Sequence, residues 1–443
     1  EGLQQLQEWS QQSGEWSAFI DVVLERLTAG EDGADGEDGG EGGSTLELTP
    51  ARARELKLLL AEVYANEVGK IEEAVQMYRT LVEEDPADIE TVGTLEEILR
   101  GADRRDDLRW LFSLKVERFE GDERSAALEE WATVEEEVFG EPERAAELLA
   151  KVVAHDPTRA PALASLTRLS LASEDWQAAA KTMIAHRDAT SGAERVEIET
   201  NLAELYLRKL DAASDAFAAC ERALEDDADN EMVVALLEEL MELPDTRGAA
   251  AGALEQIYGR TEQYAQQVGA LRALLENEED GAQRLDLCGR LVDVYEHNLR
   301  DAAAAFVVVL NTLSEAPSEL SWWDRAQALC VAAGNPTDLA EAYREHLSAP
   351  DDDDEDNPLD EELQLDLCAR AAALHTDQLG DPEGAVAYLE RMLELDPSNE
   401  PAFMRLKDIL NTVERWADLE ALYGSVIAVA RDEAHKIELL HEV

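Results

Sequence analysis

Residues 30–44 read GEDGADGEDGGEGGS, a concentration of carboxylates and glycine of the kind that cradles phosphate or ligates calcium. A phosphate loop needs a preceding strand and a Lys-Ser/Thr ending, and neither is here. A calcium loop needs alternating acids around a central glycine and a closing Glu. Asp32, Asp35, Glu37 and Asp38 do not fall in that register, so the stretch reads as a solvated linker, as does DDDDED at 351–356. Cys220, Cys288, Cys330 and Cys368 lie far apart without a CxxC pair, which argues against a zinc site and a disulfide framework. Cys288 and Cys368 both follow Leu-Asp-Leu and read as small core residues. His441-Glu442 opens like a zinc-protease HExxH, but neither His435 nor any other histidine completes a ligand cluster. Carboxylate pairs such as Glu72-Glu73 and Glu135-Glu136 read as solvated helix faces. Trp9, Trp110, Trp131, Trp322 and Trp323 fall within apolar helical stripes and read as packing. These residues lead us to expect no catalytic group, no metal and no cofactor.

The charge balance says more. One hundred acidic against 38 basic residues give a formal charge of −62. Such a surface repels nucleic-acid phosphates and anionic lipid and attracts basic protein segments. Acidic surfaces also serve solubility in salt-adapted organisms, which is the competing explanation. No apolar run reaches the length of a membrane span and no basic-then-apolar leader opens the chain, which disfavours membrane insertion and favours a cytoplasmic location. Aromatic residues make up only 5% while Ala, Leu and Glu dominate, a mixture that favours helix over sheet.

What positions these residues is a repeat. Helix-ending Pro follows Asp85, Asp156, Ala316 and Asp396, and Asp227-Ala228 stands at a fifth such place, at successive spacings of 71, 71, 89 and 80 residues. Twelve residues before each Pro position is an alanine: Ala74, Ala145, Ala216, Ala305 and Ala385. Close helix crossing requires a small residue there. Twenty-two before stand Tyr64, Glu135, Tyr206, Tyr295 and His375. A second helix pair follows in each unit, marked by GEW (14–16), EDW (174–176) and ERW (414–416), with Arg105 and Pro336 at the same place elsewhere. The division is a partial unit with acidic loop at 1–50, then units at 51–121, 122–192, 193–281 (with an added helix near 246–258), 282–361 (with an acidic loop) and 362–434. Residues 435–443 begin another, so the ends are expected to be cut from a longer array. The expected fold is all-α, about two dozen helices in antiparallel hairpins.

The alanine, the bulky residue four positions later (Tyr78, Leu149, Cys220, Val309, Leu389) and the closing Pro resemble the second helix of the tetratricopeptide repeat. Leu60, Ala61 and Tyr64 look like its first helix, with one extra residue in the turn. The resemblance covers nearly the whole chain and extends to long acidic bacterial repeat proteins, those of myxobacteria in particular. It implies a right-handed α-solenoid whose concave surface grips peptides or partner domains. It also places two positions in that groove, two and nine residues before the Tyr64 position. They read Glu62, Thr133, Glu204, Asp293, Ala373 and Glu55, Ala126, Glu197, Asp286, Asp366. Members that grip acidic peptide tails need Lys and Asn here, so the expected ligand is a basic or amphipathic segment. The expectation is thus a non-enzymatic interaction scaffold with binding residues Glu55, Glu62, Glu197, Glu204, Asp286, Asp293 and Asp366. The alternatives are a subunit of a self-assembled filament or lattice, and the regulatory arm of an enzyme whose catalytic domain lies outside this sequence.

Overall fold

A computed structural model describes residues 2–32, 48–347 and 359–429. Most of the Gly-rich stretch, the DDDDED run and the closing KIELLHEV, with His435 and His441-Glu442, lie outside the described residues. The chain divides into two compact units, residues 1–211 and 212–443.

The first unit holds α1 (Gly2–Ser13), α2 (Ser17–Asp32), α3 (Pro50–Glu62), α4 (Ile71–Glu84), α5 (Ile89–Gly101) and α6 (Arg105–Arg118). It continues with α7 (Gly121–Glu137), α8 (Pro142–His155), α9 (Ala160–Ala172), α10 (Trp176–Ala189) and α11 (Ala193–Arg208). The second holds α12 (Ala213–Asp226), α13 (Glu231–Met241), α14 (Arg247–Arg260), α15 (Tyr264–Asn277), α16 (Gly281–Asp293) and α17 (Ala302–Glu315). After these come α18 (Leu320–Ala333), α19 (Pro336–Leu347), α20 (Glu361–Ala373), α21 (Val386–Leu395), α22 (Glu400–Thr412) and α23 (Trp416–Val429). No strand occurs among the described residues. Within each unit every helix packs chiefly on the one before and the one after it. Contacts that run only to chain neighbours are the signature of a helical repeat array.

The repeat positions explain the stacking. Ala74, Ala145, Ala216, Ala305 and Ala385 are all fully buried. The Asp-Pro turns work through both residues. Pro stops the preceding helix, and Asp85, Asp156 and Asp396 each accept a hydrogen bond from the backbone N–H two residues on, at 3.0–3.2 Å. Asp88, Asp175, Asn230, Asp280, Asp301, Asp360 and Asn399 cap the helices that follow them with their side chains.

The extra residue of the first-helix turn has a structural form. In three places the α-helix widens into a π-helical turn, at Val63–Val68, Val294–Asn298 and Leu374–Leu379. The carbonyls of Tyr64, Glu135, Tyr295 and His375 each accept from the N–H six residues on, at 2.8–2.9 Å. Five residues after the Tyr64 position the backbone is left-handed every time: Gly69, Gly140, Asp211, Arg300 and Gly380. Glycine takes this conformation without strain, whereas Asp211 and Arg300 adopt it at a cost. The second hairpin closes the same way two residues before its marker position, at Gly14, Asp103, Glu174, Gly334 and Glu414, and Glu262 takes the same conformation two residues before Tyr264.

Candidate functional site

The first helix of a hairpin buries one side and shows the other. In α3, Leu56, Leu60 and Ala61 are buried, while Glu55 and Glu62, two turns apart, share an exposed side. Glu197 and Glu204 repeat this on α11, as do Asp286 and Asp293 on α16, and all four are exposed. Asp366 on α20 is half-buried and has no acidic neighbour two turns on, because that place is Ala373. Glu62, Asp293 and Ala373 each end an α-helix where the π turn begins.

Partners sort the seven acids. Glu55 pairs with Arg52 and Asp293 with Arg325. Glu204 lies 3.2 Å from Arg208, and Asp366 lies 2.7 Å from Arg370. Glu62, Glu197 and Asp286 have no ion pair among the described residues. Exposed pairs with one's own arginines are worth roughly 0–1 kcal/mol, so a partner could take over the paired acids at little cost. The unpaired ones offer their full charge.

The scarce basic residues are used to tie helices together. Arg104 reaches back to Glu72 at 2.7 Å, Arg168 to Glu136 at 2.5 Å, and Arg284 reaches forward to Glu315 at 2.9 Å. Glu73 pairs with Lys70 at 3.4 Å. The solvated-face reading therefore holds for exposure at Glu72 and Glu73 but misses their partners. For Glu135 it is wrong. Glu135 is fully buried, takes two hydrogen bonds from Arg109 at 2.9 and 2.7 Å and one from Trp131 Nε1 at 2.8 Å, and has Arg144 at 3.3 Å. Burial opposes its charge, but these donors hold its carboxyl below the ordinary carboxylate value. The signal was present in the sequence: Glu135 stands where other units place Tyr or His, a packing position.

The remaining candidates are placed as follows. All four cysteines are buried and none is in a disulfide, and burial pushes the Cys368 thiol up to about 11, away from reactivity. Trp323 is fully buried, Trp322 buried and Trp110 and Trp131 half-buried, but Trp9 is 49% exposed and does not pack as expected. Among the described residues no cluster of three or more His, Cys, Asp or Glu could hold a metal. No helix there is long and apolar enough to cross a membrane.

The ion pairs carry a pH dependence. Hydrogen bonds from Thr91 and Arg54 lower the Asp88 carboxyl to about 2, while Arg168 and Arg284 lower Glu136 and Glu315. Depressed carboxylates stabilise the fold above their ordinary value near about 4 and lose that contribution as pH falls through the lowered one. The melting temperature should therefore hold between pH 7 and roughly pH 5 and fall below roughly pH 4. Circular-dichroism melts across this range check it, and a steady decline from pH 7 would contradict it.

The fold defines an all-α array of tetratricopeptide-like helix hairpins, on its own helix order, buried alanines and recurrent turns. No family model matches the chain, and no curated protein does. Solved structures do. The P58(IPK) TPR domain matches with 13% identity over 88% of this chain and 96% of that one, at a TM-score of 0.22. The human IFIT1 dimer with m7Gppp-AAAA matches with 14% identity over 95% and 93%, at 0.25. Pseudomonas aeruginosa pilF matches with 16% identity over 64% and 98%, at 0.19.

Proposed function

We propose that the chain is a non-enzymatic interaction scaffold that holds a basic or amphipathic protein segment against the acid-bearing face of its first helices. Glu55, Glu62, Glu197 and Glu204 supply such a face in the first unit, and Asp286, Asp293 and Asp366 supply the second with one of its own. The observation that carries this reading is the set Glu62, Glu197 and Asp286, exposed carboxylates two or nine residues before the Tyr64 position of their repeats, with no ion pair among the described residues. Carboxylates in that state steer a Lys/Arg-rich segment and bind it by charge-assisted hydrogen bonds. A backbone that stays in place while its charges change makes the test clean. Glu62→Gln, Glu197→Gln and Asp286→Asn together keep shape and nearly keep helix propensity. Affinity for a synthetic Lys/Arg-rich peptide, read by calorimetry on the full chain, should fall about tenfold with the melting temperature unchanged. Unchanged affinity would count against this face.

A further inference from the structure

Away from the first helices, α8, α9 and α10 enclose an open cleft of about 710 Å³. Its walls are Ala146 and Ala150 on α8 and Ala178 and Ala185 on α10, with Leu166 of α9 beneath. Glu143, Glu147 and Asp175 stand on its rim, with Lys181 the one cation among its lining residues. What belongs in such a space is shown one repeat earlier. Seventy-one residues before Ala150, Ala178, Lys181 and Ala185 stand Arg79, Asp107, Trp110 and Leu114. There the chain fills the place itself: the Arg79 guanidinium lies 4.2 Å over the Trp110 ring and 3.7 Å from Asp107. At the matching place in residues 362–429 the lining carries Glu390, Glu394 and Asp418, and the cleft is a smaller one of about 420 Å³. The opening is thus written repeat by repeat, and in residues 122–192 small side chains write it wider than at the matching place in residues 362–429.

We propose that the cleft between α8 and α10 is a second docking site, whose occupant is an amphipathic helix of a partner protein carrying an apolar, aromatic-bearing ridge flanked by Lys or Arg. The walls run from Pro142 to Ala154 on one side and from Asp175 to Ala185 on the other. At 1.5 Å per residue this is about 18 Å, the length of three helical turns. An apolar floor takes the i, i+3, i+4, i+7 ridge, and the acidic rim takes the flanking cations. The aromatic and the cation on the ligand stand in for Trp110 and Arg79 of the preceding repeat. The site owes nothing to the first-helix acids, so either can fail alone.

The test uses the full chain and a synthetic helical peptide with Leu and Trp at i, i+3, i+4 and i+7 and Lys between them, followed by fluorescence anisotropy. Ala150→Arg, Ala178→Asp and Lys181→Trp together rebuild the neighbour's filling. They leave the chain one charge more negative, so a loss of binding cannot come from reduced acidity. The account expects about a tenfold weaker affinity for this variant. It expects less than about a twofold change for a Glu117→Gln, Glu221→Gln, Glu420→Gln variant, whose exposed acids belong to neither face. Equal affinity for the filled variant overturns the proposal, as does an equal loss in the variant of Glu117, Glu221 and Glu420, which would reduce the effect to net charge. A peptide with Glu in place of Lys that binds as well also overturns it. Should the triple filling fail to fold, Ala150→Cys decides: the native cysteines are buried, so its alkylation reports the cleft alone. The Lys peptide should slow that alkylation, and an unchanged rate overturns the site.

Discussion

Glu135→Ala should destabilise the first unit by about 3 kcal/mol, because it removes the fully buried carboxylate of an ion pair and leaves the mostly buried Arg109 in place. Arg109 would keep only Glu141, at 2.8 Å, while Trp131 Nε1 would lose its acceptor and Arg144 its contact. Glu135→Tyr restores what three other units use at this position and fills the space, so it should cost clearly less than Ala. Denaturant unfolding of both variants measures the difference. Equal small losses, within about 1 kcal/mol of the parent, would mean that the network carries no stability.

Ala305→Leu should cost about 1–3 kcal/mol and lower the melting temperature by on the order of 5 °C. Ala305 is fully buried in the cluster of Leu291, Val292, Phe306 and Val309, where α16 and α17 cross. Three added carbons there force neighbouring side chains off their rotamers or push the helices apart. Val307 sits two residues on in the same helix and is 53% exposed, so Val307→Leu is the control and should leave the melting temperature nearly unchanged. If the two behave alike, the alanine is not a packing constraint.

How far the sequence could be read follows from which interactions are local. Helices, hairpins and the five buried alanines are set by periodicity and by Pro, Asp and Gly at turns, and all of these show in the letters. The extra residue after Tyr64 was visible as a count, but that it widens the helix into a π turn depends on where the freed carbonyls find donors. Glu135 was misread because a carboxylate is judged solvated until Arg109, 26 residues away, is seen to reach it. Trp9 was misread because α1 presents that position to solvent. The exposure of the first-helix acids was legible in their seven-residue spacing. Their partners were not, since Arg325 meets Asp293 from a helix 32 residues on. The cleft at α8 and α10 was hidden for the same reason: alanine looks the same in a sequence whether a neighbour covers it or leaves it open.

The most direct test is the salt dependence of binding in two matched triple variants. One removes Glu62, Glu197 and Asp286 as their amides; the other does the same to Glu117, Glu221 and Glu420, exposed acids on α6, α12 and α23 that also lack ion pairs among the described residues. Both lower the net charge equally. Affinity for a Lys/Arg-rich peptide, titrated from low to physiological salt, should weaken and lose salt sensitivity in the first variant and stay near the parent in the second. Identical losses in the two would reduce the effect to net charge, and would contradict a binding face built on the first helices.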